Sequence, residues 1–351
     1  MQWTDIHLSS AAVSLGRRET TAQAVAEGRY SAEQNEVDGY LAVRVADRAP
    51  TIELAVEAAN LALERTAENS DGEEFALVTH SGWTYQGMDN FAPASYVQSR
   101  TVRGAATALE INQYSNGGMA ALELAAAYLT AKDTVSRALV TTSDRFVPPA
   151  YDRYHTDSGF LFGDAGTALV LSRRPGVARL LTTSSLGDTT YGGAYIGAEP
   201  WSDAHGGAGF PVDLARRKEQ YIAEHGADVL YDVFGSINRN YQLTVDTALE
   251  EADLKPGDIA RWAFPNLGRS LVDWEWRKSM GITDAQTNWE WARQVGHLGP
   301  GDQFANLTHL LETSQVRVGD KVLLSGIGIG FTFRCAVVEI TALPEWSLSA
   351  G

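Results

Sequence analysis

The stretch ALEINQYSNGGMAALELAAAYL, residues 108–129, places a single serine between an apolar segment and an amphipathic helical pattern. Serine is favoured at the start of a helix because its side-chain oxygen accepts a hydrogen bond from a backbone N–H of the first turn. Ser115 is therefore either an ordinary helix cap or a functional residue at the head of a buried helix. The rest of the sequence bears on which interpretation applies.

Helical and strand patterns alternate on both sides of this stretch. Residues 51–66, TIELAVEAANLALERT, have helical spacing and are followed, after a polar Asp-Gly turn, by the strand-like FALVTH at 75–80. Beyond the helix that Ser115 precedes come RALVTT at 137–142 and GTALVLSRR at 166–174, which are typical of buried strands. This alternation predicts an α/β sandwich with mainly buried sheets.

The same order of elements occurs a second time. The helical YQLTVDTALEEADL at 241–254 leads to the strand-like IARWAFPN at 259–266, and a further helix, QFANLTHLLETSQ, covers 303–315. We therefore predict a duplicated βαβαβ unit, with one half at 1–175 and the other at 176–351.

This duplication predicts where the two halves meet. Ser115 in the first half and His297 in the second lie in loops that precede matching helices. In a pair of halves related by a pseudo-twofold axis, these two loops face each other across the middle of the molecule.

The composition is that of a soluble globular protein, with 351 residues of which 44% are hydrophobic and 21% are charged. The formal net charge of −16 argues against a nucleic-acid partner, because a phosphate backbone requires a clustered basic surface. No apolar run is long enough to span a bilayer and MQWTDIHLSS lacks the features of a signal peptide, so we expect a cytoplasmic protein without a membrane partner. Cys335 is the only cysteine and the seven histidines lack ligand-like spacing, so we expect no disulfide and no metal site.

Three stretches together resemble a known family: NQYSNGGMAALELAAAYL (112–129), FGDAGTALVLSRRPG (162–176) and VGDKVLLSGIGIGFTFRCAVVEI (318–340). They are similar to the β-ketoacyl-ACP synthase III branch of the thiolase superfamily. The resemblance implies a thiolase fold with five αβαβα layers and a homodimer. It also implies acyl-CoA or acyl carrier protein (ACP) as a substrate, with the acyl group carried on a nucleophile at the head of the buried helix and no permanently bound cofactor.

The chain departs from this family at each reactive position. Ser115 stands in place of the nucleophilic cysteine. In FPNLGRS, Asn266 occupies the position of the family's histidine, and in VGHLGPGD, His297 occupies that of its asparagine. Histidine and asparagine have in effect exchanged places, and Asp302 follows His297 by five residues.

The chemistry of serine explains why this exchange matters. A cysteine at a helix N-terminus becomes a thiolate with little help from a base, whereas a serine hydroxyl needs an adjacent general base that a carboxylate orients. We therefore predict that Ser115 is the nucleophile, His297 the base and Asp302 its partner. The alternatives are a loop histidine packed near a turn and an aspartate that caps the helix at 303.

Backbone N–H groups are expected to form an oxyanion hole. One is at Ser115 and the other lies in the glycine-rich SGIGIGF, around Gly328 and Ile329. A β-bulge between two strands is the alternative explanation of these glycines.

Three functions are consistent with these residues. The exchange with its trailing aspartate resembles acyltransferase offshoots of the ketosynthase III family in antibiotic biosynthesis, which pass a short acyl group to a hydroxyl or amine of a natural product. The second is a starter-unit synthase that condenses the acyl group with malonyl-ACP to prime a polyketide, using Asn266 and His297 as polar groups. The third is a non-catalytic partner that resembles a chain-length factor.

Further candidates are assigned from their positions. The glycine-rich segment at 187–213 is expected to cover the entrance, with His205 as an auxiliary acid or base. His80 ends a strand and is either an auxiliary residue or a structural histidine. Candidates for docking a carrier protein are Arg277 with Lys278 and the RRK run at 216–218, which are otherwise solvated charges. Aromatic walls for the acceptor are expected from four tryptophans, which otherwise pack structurally: Trp274, Trp276, Trp289 and Trp291.

Overall fold

The computed structural model describes residues 1–47, 49–66, 74–132, 134, 136–203, 206–272 and 274–346. The strands are β1 (His7–Leu15), β2 (Arg17–Thr20), β3 (Ala42–Val45), β4 (Phe75–Ser81), β5 (Thr107–Glu110), β6 (Arg137–Asp144), β7 (Ala165–Ser172), β8 (Ala178–Gly187), β9 (Ile259–Ala263), β10 (Lys321–Gly328) and β11 (Thr332–Ile340). The helices are α1 (Thr21–Ala26), α2 (Ala32–Asp38), α3 (Thr51–Glu64), α4 (Pro93–Arg100), α5 (Gly117–Thr130), α6 (Leu214–His225), α7 (Val229–Glu251), α8 (Trp274–Ser279), α9 (Trp289–Ala292) and α10 (Asp302–Glu312).

Nine strands form one mixed sheet in the order β5-β4-β6-β7-β1-β8-β11-β10-β9. The pairings repeat outward from the centre: β1 and β8 each begin a run of two antiparallel pairings followed by a parallel one. The predicted duplicated α/β sandwich is therefore confirmed in the sheet topology. Strands β2 and β3 form a separate antiparallel pair.

Two helices lie buried between the halves of this sheet. Helix α5 packs on β4 and β6 from one half and on β10 and β11 from the other, and α10 packs on β1, β7, β9 and β10. Small residues line α5, and ten of its fourteen residues are buried, which allows close packing on both sides. The central hydrophobic core includes Leu122 and Leu129 of α5 with Leu307 and Leu311 of α10.

The outer faces of the sheet are covered by two further helices. Helix α3 packs on β1, β6 and β7, and α7 packs on β8 and β11. The order of layers is therefore helix, one half of the sheet, buried helices, the other half of the sheet, helix, which is the predicted five-layered arrangement. Among the helices described, none is both long and apolar enough to cross a bilayer.

Candidate active site

Ser115 lies in a single 3-10 turn, Tyr114–Asn116, directly before α5. The residue that caps α5 is Asn116, and Ser115 Oγ instead lies 2.7 Å from Nε2 of His297. Tyr114 has a φ of 49°, a left-handed conformation that is costly for a bulky side chain and that concentrates at functional sites. The helix-cap interpretation of Ser115 is therefore wrong.

His297 is held on both sides of its ring and along its backbone. Its N–H donates to Leu161 O at 2.7 Å, and its carbonyl accepts from the N–H of Gly163 at 2.8 Å. Nδ1 lies 2.6 Å from Oδ2 of Asp302, and both side chains are fully buried. Because a carboxylate only accepts, this pattern assigns the proton to Nδ1 and leaves Nε2 as the acceptor that faces Ser115.

Asp302 is oriented by two backbone groups as well as by His297. Its Oδ1 accepts from the N–H of Leu298 at 2.7 Å and its Oδ2 from the N–H of Asn266 at 2.8 Å. Gly301, not Asp302, is the cap residue of α10, so the helix-cap interpretation is wrong here too. A serine hydroxyl, an imidazole and a buried carboxylate thus form one hydrogen-bonded chain, the arrangement that activates a serine as a nucleophile.

Asn266 supports this loop and does not line the cavity beside Ser115. Its Nδ2 donates to Gly296 O at 3.0 Å, and its Oδ1 accepts from Nδ2 of Asn288 and of Asn306 at 3.1 and 3.0 Å. Its neighbours Pro265 and Leu267 do line the cavity. We predicted that Asn266 and His297 could both act as polar groups around a substrate. The structure does not place Asn266 in that position, because its amide is bonded to other parts of the protein.

Ser115 and His297 line a cavity of ≈ 230 Å³ whose walls are mainly apolar. Helix α6 and the first part of α7 supply much of its lining, and the segment at 187–213 contributes Ala194 and Tyr195. The predicted cover is thus supplied mostly by two amphipathic helices and only partly by the glycine-rich segment. His205 lies outside the described residues. The aromatic side chains of the cavity are Trp83, Phe160, Tyr195, Tyr221, Phe234, Tyr241, Phe264 and Phe331.

Gly328 and Ile329 line the same cavity as Ser115. Gly328 ends β10 and pairs with Thr332 in an unbroken β10–β11 register, so the glycine-rich segment leads into a hairpin turn at 329–331 and contains no bulge. A Cβ on Gly328 would lie 2.5 Å from Gln113 O, which explains why glycine is needed beside the serine turn. The N–H groups predicted for an oxyanion hole therefore come from segments that meet at the cavity.

His80 is bonded to other parts of the protein. Its Nδ1 lies 3.1 Å from Thr141 Oγ1 and its Nε2 lies 3.2 Å from Gln86 Oε1. Burial lowers the pKa of His80 to about 4. His80 is thus a neutral, buried histidine that is absent from the cavity lining, as the structural alternative predicted.

The predicted docking cations differ from one another. Arg277 is buried, lines the cavity and lies 3.9 Å from the centre of the Phe264 ring, so it cannot form the predicted surface patch, whereas Lys278 is exposed. In the RRK run, Arg216 and Arg217 form ion pairs with Glu199.

The described tryptophans of the predicted acceptor wall pack away from the cavity. Trp289 packs against Tyr40, with ring centres 6.0 Å apart, and Trp291 stacks on His309 at 4.7 Å. The side chains of Trp274 and Trp276 lie outside the described part of the structure. The wall is built instead by aromatic residues from several separate segments, which carry no local sequence signal.

Two features of the site escaped the sequence analysis. Trp83 lines the cavity and packs edge-on against His297, with ring centres 6.3 Å apart. Asp157 also lines the cavity, where it forms an ion pair with Lys218, which the sequence suggested only as a docking cation of the RRK run. The sequence LVTHSGWTYQG around Trp83 marks a strand end, but nothing in it indicates the distant histidine.

Two family models match the sequence. Residues 109–188 match the model of 3-oxoacyl-(acyl carrier protein) synthase III, and residues 249–340 match the model of its C-terminal part. No curated protein is significantly similar to the chain.

Solved structures resemble the chain over nearly its full length. ChlB3, described as an acyltransferase, is 33% identical over 97% of this chain and 99% of its own, with a TM-score of 0.89. FabH, the 3-oxoacyl-(acyl carrier protein) synthase III of Pseudomonas aeruginosa PAO1, is 18% identical over 96% of this chain and 99% of its own, with a TM-score of 0.75. A variant of Xanthomonas campestris OleA is 17% identical over 97% and 99%, also with a TM-score of 0.75. The last two share the thiolase fold with this chain.

Proposed function

From the premise that the chain belongs to the 3-oxoacyl-(acyl carrier protein) synthase III family, we propose that it is an acyltransferase. It moves a short acyl group from acyl-CoA or acyl-ACP through an acyl-Ser115 ester to a hydroxyl or amine of a natural-product acceptor. The observation that carries the proposal is the unbroken chain of hydrogen bonds from Ser115 Oγ through His297 to Asp302. ChlB3, itself described as an acyltransferase, supports the same assignment.

In the acylation step, Ser115 Oγ attacks the thioester carbonyl carbon while its proton passes to His297 Nε2. Asp302 stabilises the imidazolium that forms, and a base of this kind contributes on the order of 100 to 10,000-fold in rate. The N–H groups of Ser115 and of the Gly328–Ile329 turn stabilise the oxyanion. The carbon–sulfur bond breaks, the thiolate takes the proton from His297, and CoA or carrier protein leaves as the thiol.

In the transfer step, His297 takes the proton of the acceptor hydroxyl as its oxygen attacks the acyl carbon. The ester bond to Ser115 breaks, and His297 returns the proton to Ser115 Oγ. Each proton and each leaving group is thereby accounted for without a further reagent, and water must be kept from competing with the acceptor. The apolar walls that α6 and α7 supply suit that requirement.

Carbon–carbon condensation requires further hydrogen-bond donors beside the substrate. Decarboxylation of a malonyl thioester generates an enolate, which needs hydrogen-bond donors at the thioester carbonyl. The amide of Asn266 is bonded to Gly296, Asn288 and Asn306, so it is held away from that task. We therefore rank transfer to oxygen or nitrogen above a starter-unit synthase that primes a polyketide. The full set of bonds around Asp302 favours an enzyme over a non-catalytic partner.

The test is intact mass spectrometry of the protein charged with a panel of short acyl-CoAs and then chased with malonyl-ACP. We expect one acyl group to be added in the wild type and in a Ser99→Ala control, which alters an exposed serine, and none in Ser115→Ala. We also expect the chase to yield no β-ketoacyl-ACP. If a ketoacyl product appears, the starter-unit synthase is the correct assignment, and if Ser115→Ala is labelled like the wild type, the mechanism fails.

We also propose that the protein is a homodimer that pairs through β5. This strand lies at an edge of the sheet, and Leu109 on it is 47% exposed. Leu124 of α5 is 52% exposed, and Thr107 of β5 lies 3.4 Å from the Tyr128 hydroxyl of α5, so the two elements are neighbours. A strand edge that exposes an apolar side chain is a template for pairing with a second copy across a twofold axis.

Light scattering after size exclusion tests this interface. We expect Leu109→Lys with Leu124→Lys to shift the protein from dimer to monomer. Leu343→Lys is the matched control, since that leucine is also 47% exposed but lies in the C-terminal segment. A dimer that survives the double substitution contradicts the proposed interface.

A further inference from the structure

An ion pair between a buried carboxylate and a partly exposed lysine lies in the wall of the cavity and has no part in the steps described above. Lys218 Nζ of α6 lies 2.7 Å from both carboxylate oxygens of Asp157. The Asp157 side chain is only 2% exposed. Both residues line the cavity that contains Ser115 and His297.

This pair lies one aromatic ring away from the proposed base. Lys218 Nζ is 5.6 Å from the centre of the Phe160 ring, and that ring is 5.4 Å from the centre of the His297 ring. Tyr195 closes the other side, with its ring centre 4.9 Å from Nζ. A molecule whose reacting hydroxyl contacts His297 therefore has Asp157 and Lys218 within reach of its far side.

Stability alone is a weak explanation for charges in this place. Burying the Asp157 carboxylate and partly burying the Lys218 ammonium costs free energy that their attraction often fails to repay, and apolar side chains of similar size are often as stabilising. Polar groups in a mainly apolar pocket commonly fix the orientation of a ligand. The pair therefore has the properties of a recognition element.

The charges of the pair select the kind of group that it can bind. An anion would have to compete with Asp157 for Lys218, and a cation would have to compete with Lys218 for Asp157. The three ammonium protons of Lys218 face the two oxygens of Asp157 and the Tyr195 side chain, so a hydroxyl binds chiefly by donating to the carboxylate, which leaves the ion pair intact. The N–H of Ser158 donates to Oδ1 of Asp157, which leaves Oδ2 the oxygen with more remaining acceptor capacity.

We propose that Asp157 and Lys218 bind a second hydroxyl of the acceptor, so that the enzyme selects polyhydroxylated acceptors over those with a single hydroxyl. This inference rests on the proposed function, because it assumes that the acceptor reacts at His297. The acceptor is then a molecule with one hydroxyl at His297 and another beyond the Phe160 ring.

The experiment measures binding without requiring acyl transfer. Cyclohexane-1,4-diol and cyclohexanol are titrated against the Ser115→Ala protein by ligand-observed NMR. We expect the diol to bind about tenfold more tightly than cyclohexanol, the ratio that one net hydrogen bond provides. In this Ser115→Ala background, Lys218→Met and Asp157→Asn should each remove the preference for the diol, whereas Lys218→Arg should retain most of it. The control Lys132→Met alters an exposed lysine and should leave the preference unchanged.

Unfolding curves of the same variants separate recognition from a structural role. If Lys218→Met and Asp157→Asn are folded and keep the preference for the diol, the pair merely ties α6 to the cavity wall and the inference is overturned. Equal binding of the two probes by the parent protein overturns it as well. If the diol preference depends on the pair but the wild type forms no acyl-Ser115, the recognition element stands and the proposed function fails.

Discussion

The backbone N–H of Asn266 donates to Oδ2 of Asp302 at 2.8 Å, and the same oxygen lies 2.6 Å from Nδ1 of His297. Asn266 occupies the position at which the family resemblance implies a histidine, yet it contributes a main-chain donor to the carboxylate. The exchange of histidine and asparagine therefore changes the task of both positions. One now carries the proposed base, and the other holds the carboxylate to which that histidine is bonded.

Replacing His297 by asparagine should show that a serine nucleophile depends on a general base more strongly than a cysteine does. We expect His297→Asn to slow acylation of Ser115 on the order of 100 to 10,000-fold, since the hydroxyl loses its base. In a Ser115→Cys background the same substitution should cost much less, because the start of α5 favours a thiolate there. Rates of acyl loading from acetyl-CoA, followed by mass spectrometry, give the two ratios, and equal ratios would contradict the assignment of His297 as the base.

Asp302→Asn should slow acylation of the folded protein by about 10⁴-fold, because an amide at this position favours the wrong tautomer of His297. Stopped-flow measurement of CoA release during the first turnover follows this step directly. Asp284→Asn is the control, since the Asp284 side chain is 64% exposed and lies at the surface. A loss of less than tenfold would show that the carboxylate does not orient the base.

Asn266→Leu should act on stability more than on chemistry. The substitution removes the oxygen that the amides of Asn288 and Asn306 share, so each Nδ2 keeps only its bond to Phe264 O, and each buried N–H left without a partner costs about 1–3 kcal/mol. We expect a lower free energy of unfolding in urea, with acyl loading of the folded protein at low temperature within about tenfold of the wild type. A stable variant that loads no acyl group would instead indicate that Asn266 contacts the substrate.

The sequence was sufficient for the fold because the signals of the fold are local. Apolar runs mark the strands, and the repeated order of elements predicts the sheet that the structure shows. The pairing of Ser115 with His297 was also accessible, since both precede matching helices in the two halves. These residues are 182 positions apart, and only the duplication brings their loops together.

What the sequence could not provide is the direction of side chains. Asn266 stands in a reactive position of the family, but its amide is held by asparagines from two other segments, Asn288 and Asn306. Likewise, the sequence predicts that Arg277 is a surface charge beside Lys278, but in the structure it packs on Phe264. In both cases the outcome depends on packing between distant segments, which no local pattern encodes.

Asp144 should make the stability of the protein fall as the pH rises towards neutrality. This carboxyl is fully buried at the end of β6: Oδ1 accepts from the N–H groups of Trp83 and Thr84, while Oδ2 has no hydrogen-bond partner among the described residues. Burial raises the pKa of Asp144 from 3.8 to about 7. Between these values the folded state holds a proton that the unfolded chain has released, so unfolding becomes easier as the pH increases.

Asp144→Asn removes that dependence because the amide has a similar shape, keeps an acceptor for the two N–H groups and carries no charge. The free energy of unfolding of the variant, relative to that of the wild type, should rise from pH 4 to pH 7 and then remain constant. The total rise should be a few kcal/mol, at about 1.4 kcal/mol per unit of pKa. Free energies of unfolding in urea at pH 5 and pH 8 measure the change. The control Asp284→Asn, at the surface, should differ from the wild type in free energy of unfolding by the same amount at both pH values. If the difference for Asp144→Asn also does not vary with pH, this carboxyl is ionised in the folded protein throughout the range.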